Sequence, residues 1–282
     1  MSSDNNDHKQ DSAAPAPTSG TATRSSARAP SAWGPIRHAI ASLHNLGALL
    51  KSTSVKYKVI LDLLPELSAT VGVLREAFDR ARTAPDPALV EVGHYGLRGV
   101  QALADLLDAT ALANEERDDL SIQARVLADD LEATSDLLAL LDRAAEPVPT
   151  SVGVQLLVRE TGRLWGGGRG RELVVHFDES PAGLSIDCDP YVVGPLLSLL
   201  LALVRSAVAG DVLVRATSAG EEVTIVVDEV GPGDADLQTI RVRALPPVPP
   251  TECAARRVAE QAGASLELAG TRAVLRVRQA VG

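Results

Sequence analysis

Four stretches of this 282-residue chain combine residue types that could do chemistry. The first is VGHYGLRGV, Val92 to Val100, where His94 stands among Gly93, Gly96 and Gly99. Each glycine costs a helix interior up to about 1 kcal/mol relative to alanine. The run therefore needs either a neighbouring helix packed very close or a local turn, and it leaves the flank of His94 uncovered. The second is LHNLGALL, Leu43 to Leu50, where His44 precedes Asn45, a side chain that cannot act as a base. The third is EVGPGD, Glu229 to Asp234, a glycine turn flanked by carboxylates. The fourth is GGGRGRE, Gly166 to Glu172, whose glycines and arginines have the composition of a phosphate cradle. A strand pattern, ELVVHF, comes directly after it and no helix starts at its end, so it reads as a loop. Cys188 and Cys253 fit no metal-ligand spacing and read as buried, reduced thiols, and no metal site is expected.

The elements that must position these residues divide at a proline-rich connector, Pro147 to Ser151. Residues 1–32, rich in Ser, Ala, Pro and Asp, read as a disordered tail. Residues 33–146 read as a helical bundle. Helix one runs from Pro35 to Lys51, with Ile36, Ile40, Leu43 and Leu50 on one face. Ser52-Thr53-Ser54 breaks it, and helix two runs from Val55 to Arg82 with a kink expected at Pro65. Ala84-Pro85-Asp86-Pro87 is a stop. Helix three spans Ala88 to Ala111, with His94 either outward or at a boundary according to which of two apolar stripes faces the core. Asn114, Glu115 and Glu116 cap helix four, which ends near Ala145. Its Leu120, Ala124, Leu127, Leu131, Thr134, Leu138 and Leu141 form a heptad seam, suited equally to a bundle core or a dimer. Asp118, Asp129, Asp130, Glu132 and Asp136 mark its exposed face.

Residues 150–282 alternate strands and helices. A helix from Val152 to Trp165 leads to the strands ELVVHF and LSIDCD. An apolar helix from Pro190, the strands VLVRAT, VTIVVD and LQTIRVR, a helix from Glu252 to Ala262, and the strands ASLELA and RAVLRVR complete the order. Gly220 and Gly270 mark hairpin turns. The pattern is a mixed sheet with helices on one face, giving an α+β protein in which a bundle of about four helices precedes a two-layer α/β sandwich.

Composition narrows the function. Hydrophobic residues are 45% of the chain but aromatics only 2%, so the core is aliphatic, which argues against base-stacking surfaces. A net charge of −10 argues against nucleic-acid binding and adsorption to anionic membranes. Residues 1–32 lack the apolar core of a secretory signal. The apolar run Tyr191 to Val204 falls short of the roughly 20 residues that cross a bilayer. It reads as a buried helix in a cytoplasmic protein without a membrane span.

From Leu89 to Val277 the order of elements resembles two-component histidine kinases, a dimerisation hairpin followed by a GHKL-type ATPase domain. LLALVRSAV, Leu200 to Val208, is similar to the family's LLNLLSNAI, with Ala202 and Ser206 at its metal- and phosphate-binding asparagines. Alanine has no ligand atom and serine only a neutral hydroxyl. EVGPGD resembles the family's DNGPGI turn, with Glu229 at the adenine-reading aspartate and Gly231 and Gly233 retained. Asp228 takes that place only with a one-residue insertion. No second glycine box is present after the turn, and LPPVPP, Leu245 to Pro250, would stiffen a lid. Glu229, Asp234 and Asp236 have no lysine beside them to meet a triphosphate. The resemblance places His94 at the phosphoacceptor, with Tyr95 where the family has an acid, and His44 as a second candidate. It implies a homodimeric, catalytically degenerate scaffold that binds a response regulator or a histidine kinase. The alternative it leaves open is a phosphotransferase or divergent kinase acting through His94 or His44. No cofactor is expected, with ATP and Mg²⁺ bound only if the divergent pocket works.

Overall fold

The computed structural model describes residues 33–52, 57–112, 117–164, 171–178, 183–234, 237–244 and 247–280. The tail, Thr53 and Ser54, the Asn114–Glu116 cap, the core of the glycine-arginine loop, Asp236 and Leu245-Pro246 lie outside the described residues. Four helices come first: α1 (Trp33–Lys51), α2 (Tyr57–Arg82), α3 (Pro87–Leu112) and α4 (Arg117–Ala144). The stop at Pro85-Asp86-Pro87 is where expected, with the Asp86 carboxylate accepting from the Ala88 amide at 2.9 Å. Helix α2 is continuous through Pro65, which lies on its exposed side.

The heptad seam of α4 is consumed inside the chain. Leu120, Ala124, Leu131, Thr134, Leu138 and Leu141 are buried, but so are Ala128, Ser135, Leu137 and Ala144. That stripe is wider than a two-position coiled-coil seam, and α4 packs on α1 and α3. The glycines of α3 are explained by the same packing. A Cβ on Gly93 would lie 2.4 Å from the Arg82 amide nitrogen and one on Gly96 2.2 Å from the Phe78 ring, both on α2. The helix stays closed at His94, so close approach, not a turn, is what the run serves.

The second half opens with an element that the sequence pattern had concealed. Thr150–Gly153 is a strand, β1, not a connector, and it pairs antiparallel with β3 (Ser185–Cys188). Helix α5 (Val154–Leu164) consequently starts two residues later than expected. The main sheet contains β2 (Arg171–Phe177), β4 (Val212–Ala219), β5 (Glu222–Glu229), β6 (Gln238–Ala244), β7 (Ser265–Ala269) and β8 (Arg272–Arg278). Its order is β6-β2-β4-β5-β8-β7, with β2 and β4 parallel and the other pairs antiparallel. Val214, Val227 and Ala273 lie in register, as do Ala216, Ile225 and Leu275, and all are buried. The alternate positions carry Arg215, Thr224, Arg241 and Arg276 beside Leu213, Val226 and Val274, so one sheet face is apolar and the other mixed.

Helices α5, α6 (Pro190–Ala207) and α7 (Thr251–Gln261) form the second layer. Helix α6 alone is long and apolar enough to span a bilayer among the described residues, and 67% of that window is buried inside the protein. Its Val193, Leu196, Leu197 and Leu200 are at most 1% exposed, each burial contributing about 1.5–3 kcal/mol before conformational entropy is counted. The expected bundle followed by a two-layer sandwich is therefore the observed architecture.

Among the described residues, Arg143–Asp189 and Arg257–Asp86 tie the layers to the bundle. Asp189, the N-cap of α6, has a side chain only 1% exposed. Its carboxylate accepts from Arg143 Nη2 of α4 at 2.7 Å, the Val148 amide at 2.9 Å and the Tyr191 amide at 2.9 Å. On α7, Arg257 Nε donates to Asp86 Oδ2 at 2.6 Å. Both cysteines are free, but Cys253 is half-buried where a buried thiol was expected. Burial pushes Cys188 up to about 12, with Asp189 and Asp187 adding to it. Burial, then a hydrogen bond with Glu91, takes Cys253 to about 11.

Candidate functional site

The α6 face and the 229–234 turn come first, because the sequence expectations concentrate there. Ala202 is buried on α6 at 5% exposure and offers no polar atom. Ser206, one turn on, is exposed, and its hydroxyl donates to the Leu203 carbonyl of its own helix at 2.7 Å. Between them Arg205 reaches forward and donates through Nη1 to the carbonyls of Val208, Ala209 and Gly210 at 3.2, 3.3 and 2.9 Å. Glu229, at the end of β5, accepts from the Gly210 amide at 2.8 Å. Arg205 and Glu229 thus fasten the same short loop, one through its carbonyls and the other through the Gly210 amide.

The glycine turn is closed by its own aspartate. Gly231 donates its amide to Asp234 Oδ2 at 2.7 Å, and Asp234 Oδ1 accepts from Arg215 of β4. The Gly231 amide and then Arg215 hold the Asp234 carboxyl below the usual carboxylate range. The sequence pattern offers Asp234 no neighbouring lysine; the cation that meets it is an arginine, Arg215, which alternation places on the sheet face opposite Val214 and Ala216. Gly233 is exposed, with nothing within 4 Å of where a Cβ would sit. Asp228 accepts from the Glu229 amide at 2.9 Å and lies 3.6 Å from Arg272.

Beyond the turn the chain re-enters the sheet. From Gln238 to Ala244 it runs antiparallel to β2 over seven register pairs as the sheet edge. Only the stretch to Thr251 remains, and there Val248 donates its amide to the Thr251 hydroxyl at 2.9 Å. The segment that a lid would need is thus largely held in the sheet.

The helical half presents His94 differently. It is exposed on α3, beside a groove of about 550 Å³. Glu91 and Arg98 of α3 line one side, and Pro249 and Pro250, which precede α7, line the other. Tyr95, the next residue, turns to the bundle: its hydroxyl donates to Asp130 Oδ2 of α4 at 3.4 Å, and Arg98 sits 5.4 Å from its ring centroid. Burial and then Asp130 raise the Tyr95 hydroxyl, and burial raises the Asp130 carboxyl. Asp130 therefore belongs to the packed side of α4, not to its open face.

His44 faces another residue expected to be exposed. Its Nε2 lies 3.0 Å from Glu132 Oε2, across the α1–α4 contact, and the two side chains are 25% and 13% exposed. Asp129 is adjacent, and one ligand atom from each of His44, Asp129 and Glu132 lies within 4.8 Å of the others. Nothing in the sequence flags this trio, because His44 and Glu132 are 88 residues apart. Asp189 was legible in part: aspartate before proline is a helix-start signal, but its partner Arg143 was not. His44 and His94 are thus on different faces of the bundle, and neither belongs to the α6 face that holds Ala202 and Ser206.

No family model matches the sequence, and no curated protein matches it significantly. Among solved structures, a histidine kinase from Acinetobacter baumannii, AdeS, aligns at 11% identity with a TM-score of 0.40, covering 66% of this chain and 97% of that one. A histidine kinase from Burkholderia phymatum STM815 aligns at 18% identity with a TM-score of 0.33, covering 66% and 99%. At these scores the likeness assigns no residue of this chain a role.

Proposed function

We propose that this chain is a signalling adaptor on the histidine-kinase plan, acting by binding and not by ATP turnover. Residues 33–146 serve as the dimerisation and docking region, and residues 150–282 as a degenerate ATPase-like domain. Its partners are a response regulator or a histidine kinase of a two-component system, met in the cytoplasm by a homodimer. The observation that supports this most is the commitment of the polar groups at the expected nucleotide face. Ser206, Glu229 and Asp234 each bond to nearby backbone of their own chain, and Ala202 has no ligand atom. A triphosphate with its metal would have to break those bonds and would find two carboxylates in return. Titration calorimetry with ATP and Mg²⁺ is expected to give no saturable heat, and micromolar binding overturns the reading. Sedimentation tests the homodimer.

A second reading, a phosphotransferase, draws on the exposure of His94 beside its groove. There an aspartyl phosphate on a receiver domain would lose its phosphoryl group to an imidazole nitrogen. Incubation with a phosphorylated receiver separates the two. Label on wild type that disappears in His94→Ala favours the second reading, and label that survives His94→Ala with His44→Ala excludes both acceptors.

A further inference from the structure

As a cluster, His44, Asp129 and Glu132 are used by neither reading, since the second takes only the His44 imidazole, and their geometry says more than that of an ordinary ion pair. A tetrahedral ion with bonds of about 2.0 Å holds its ligand atoms roughly 3.3 Å apart. His44 Nε2 and Glu132 Oε2 are already 3.0 Å apart, joined by one proton, and one ligand atom from each of His44, Asp129 and Glu132 lies within 4.8 Å of the others. Replacing that proton by a cation needs only a small opening of the pair and a swing of the exposed Asp129 side chain.

The supports are rigid. Asp129 and Glu132 are three residues apart on α4, hence on one face. His44 comes from α1, which is pinned to α4 nearby: the buried Ser121 hydroxyl donates to the Gly47 carbonyl at 2.7 Å, and the Arg125 side chain lies over Gly47. Donors on two fixed helices lose little freedom on binding. Access is provided by a cavity of about 370 Å³ beside His44, which Gly47, Lys51 and Arg125 also line. An imidazole donor disfavours Mg²⁺, which takes oxygen ligands and keeps its waters. An ion that bonds directly to imidazole and carboxylate suits the donor set, as zinc does.

We propose that His44, Asp129 and Glu132 form a zinc-class divalent-cation site that staples α1 to α4. Three protein ligands leave a fourth position for water. The site goes beyond the adaptor reading and stands without it. A cation on Nε2 also removes that nitrogen of His44 from any acceptor role, leaving His94 alone.

The test uses the full chain, stripped of metal, with Co²⁺ as a spectroscopic probe and Zn²⁺ as competitor. Wild type is expected to take up one Co²⁺ per chain with the intense visible bands of a tetrahedral site, to release it to Zn²⁺, and to melt a few degrees higher with Zn²⁺ present. His44→Ala is expected to lower affinity by more than the roughly 10- to 100-fold that loss of an outer-shell partner costs. Asp129→Asn, at an exposed position that the fold does not need, is expected to weaken binding and blunt the thermal shift, and it decides the matter if His44→Ala fails to fold. His38→Ala and His176→Ala are expected to change nothing. Absence of uptake by folded wild type, or uptake unaltered in both His44→Ala and Asp129→Asn, overturns the proposal.

Discussion

Ser206, Glu229 and Asp234 each make a hydrogen bond to backbone of their own chain, whereas His94 and Glu91 on α3 are exposed beside a groove. The α6 face is a loop-fastening arrangement: Arg205 and Glu229 grip 208–210, and Arg215 and Asp234 close the turn after Val230. On α3, Glu91 shares a hydrogen bond with Cys253 and Arg98 lies over the Tyr95 ring, while the His94 imidazole stands exposed. The difference teaches where ligand binding is cheap. A partner that meets the His94 imidazole displaces water, while a ligand at α6 must first break internal hydrogen bonds, each contributing about 0.5–1.5 kcal/mol net.

The largest effect is expected at the joint between these regions. Asp189→Ala leaves Arg143 half-buried without its carboxylate and strips two backbone amides of their acceptor, so urea denaturation is expected to show a loss of about 3 kcal/mol. A loss under one third of that figure would mean that the two halves are joined chiefly by apolar contact.

Next comes the packing that turns His94 outward. Gly93→Ala puts a methyl group against the Arg82 backbone, and Gly96→Ala against the Phe78 ring. Both are expected to cost about 1–3 kcal/mol, Gly93→Ala more, because backbone yields less than a side chain. Chemical denaturation checks the order, and unaltered stability would break the account of the α3 glycines.

A smaller, pH-dependent effect belongs to the turn. The folded Asp234 carboxyl is held below its ordinary value by the Gly231 amide and Arg215. Its contribution is present above the unfolded value of about 3.9 and fades as pH falls through the lower folded value. The stability gap between wild type and Asp234→Asn is expected to be open at neutral pH and to close in acid. A gap constant across that range would mean that the charge does not hold the turn. Smallest of all, Gly233→Ala meets open space and is expected to change stability by no more than about 0.5 kcal/mol.

Much of this architecture was written in local pattern. The helix ends at Arg82 and Pro87, the hairpin glycines Gly220 and Gly270 with φ of 65° and 59°, and the alternation of Val223, Ile225 and Val227 all arise from short-range sterics and periodicity. Thr150–Gly153 escaped because a four-residue strand beside prolines has no period of its own and exists only through β3.

The candidate site was legible by residue type alone. Ala202, Ser206, Glu229, Gly231 and Gly233 could be singled out, but what their groups do could not, since Arg215, Gly210 and Leu203 decide it. The same holds for the acidic residues of α4. Their spacing marked an exposed face, and only packing against α1 and α3 turned Asp130 to Tyr95 and Glu132 to His44.

By itself the sequence determined the elements, their order and the absence of a ligand atom at Ala202, because backbone sterics, apolar periodicity and side-chain chemistry are local. Tertiary structure alone decided which charges meet, which histidine faces solvent and how close two helices may approach. Those depend on distances between residues far apart in the chain, such as His44 and Glu132 or Arg143 and Asp189, and no local pattern encodes them.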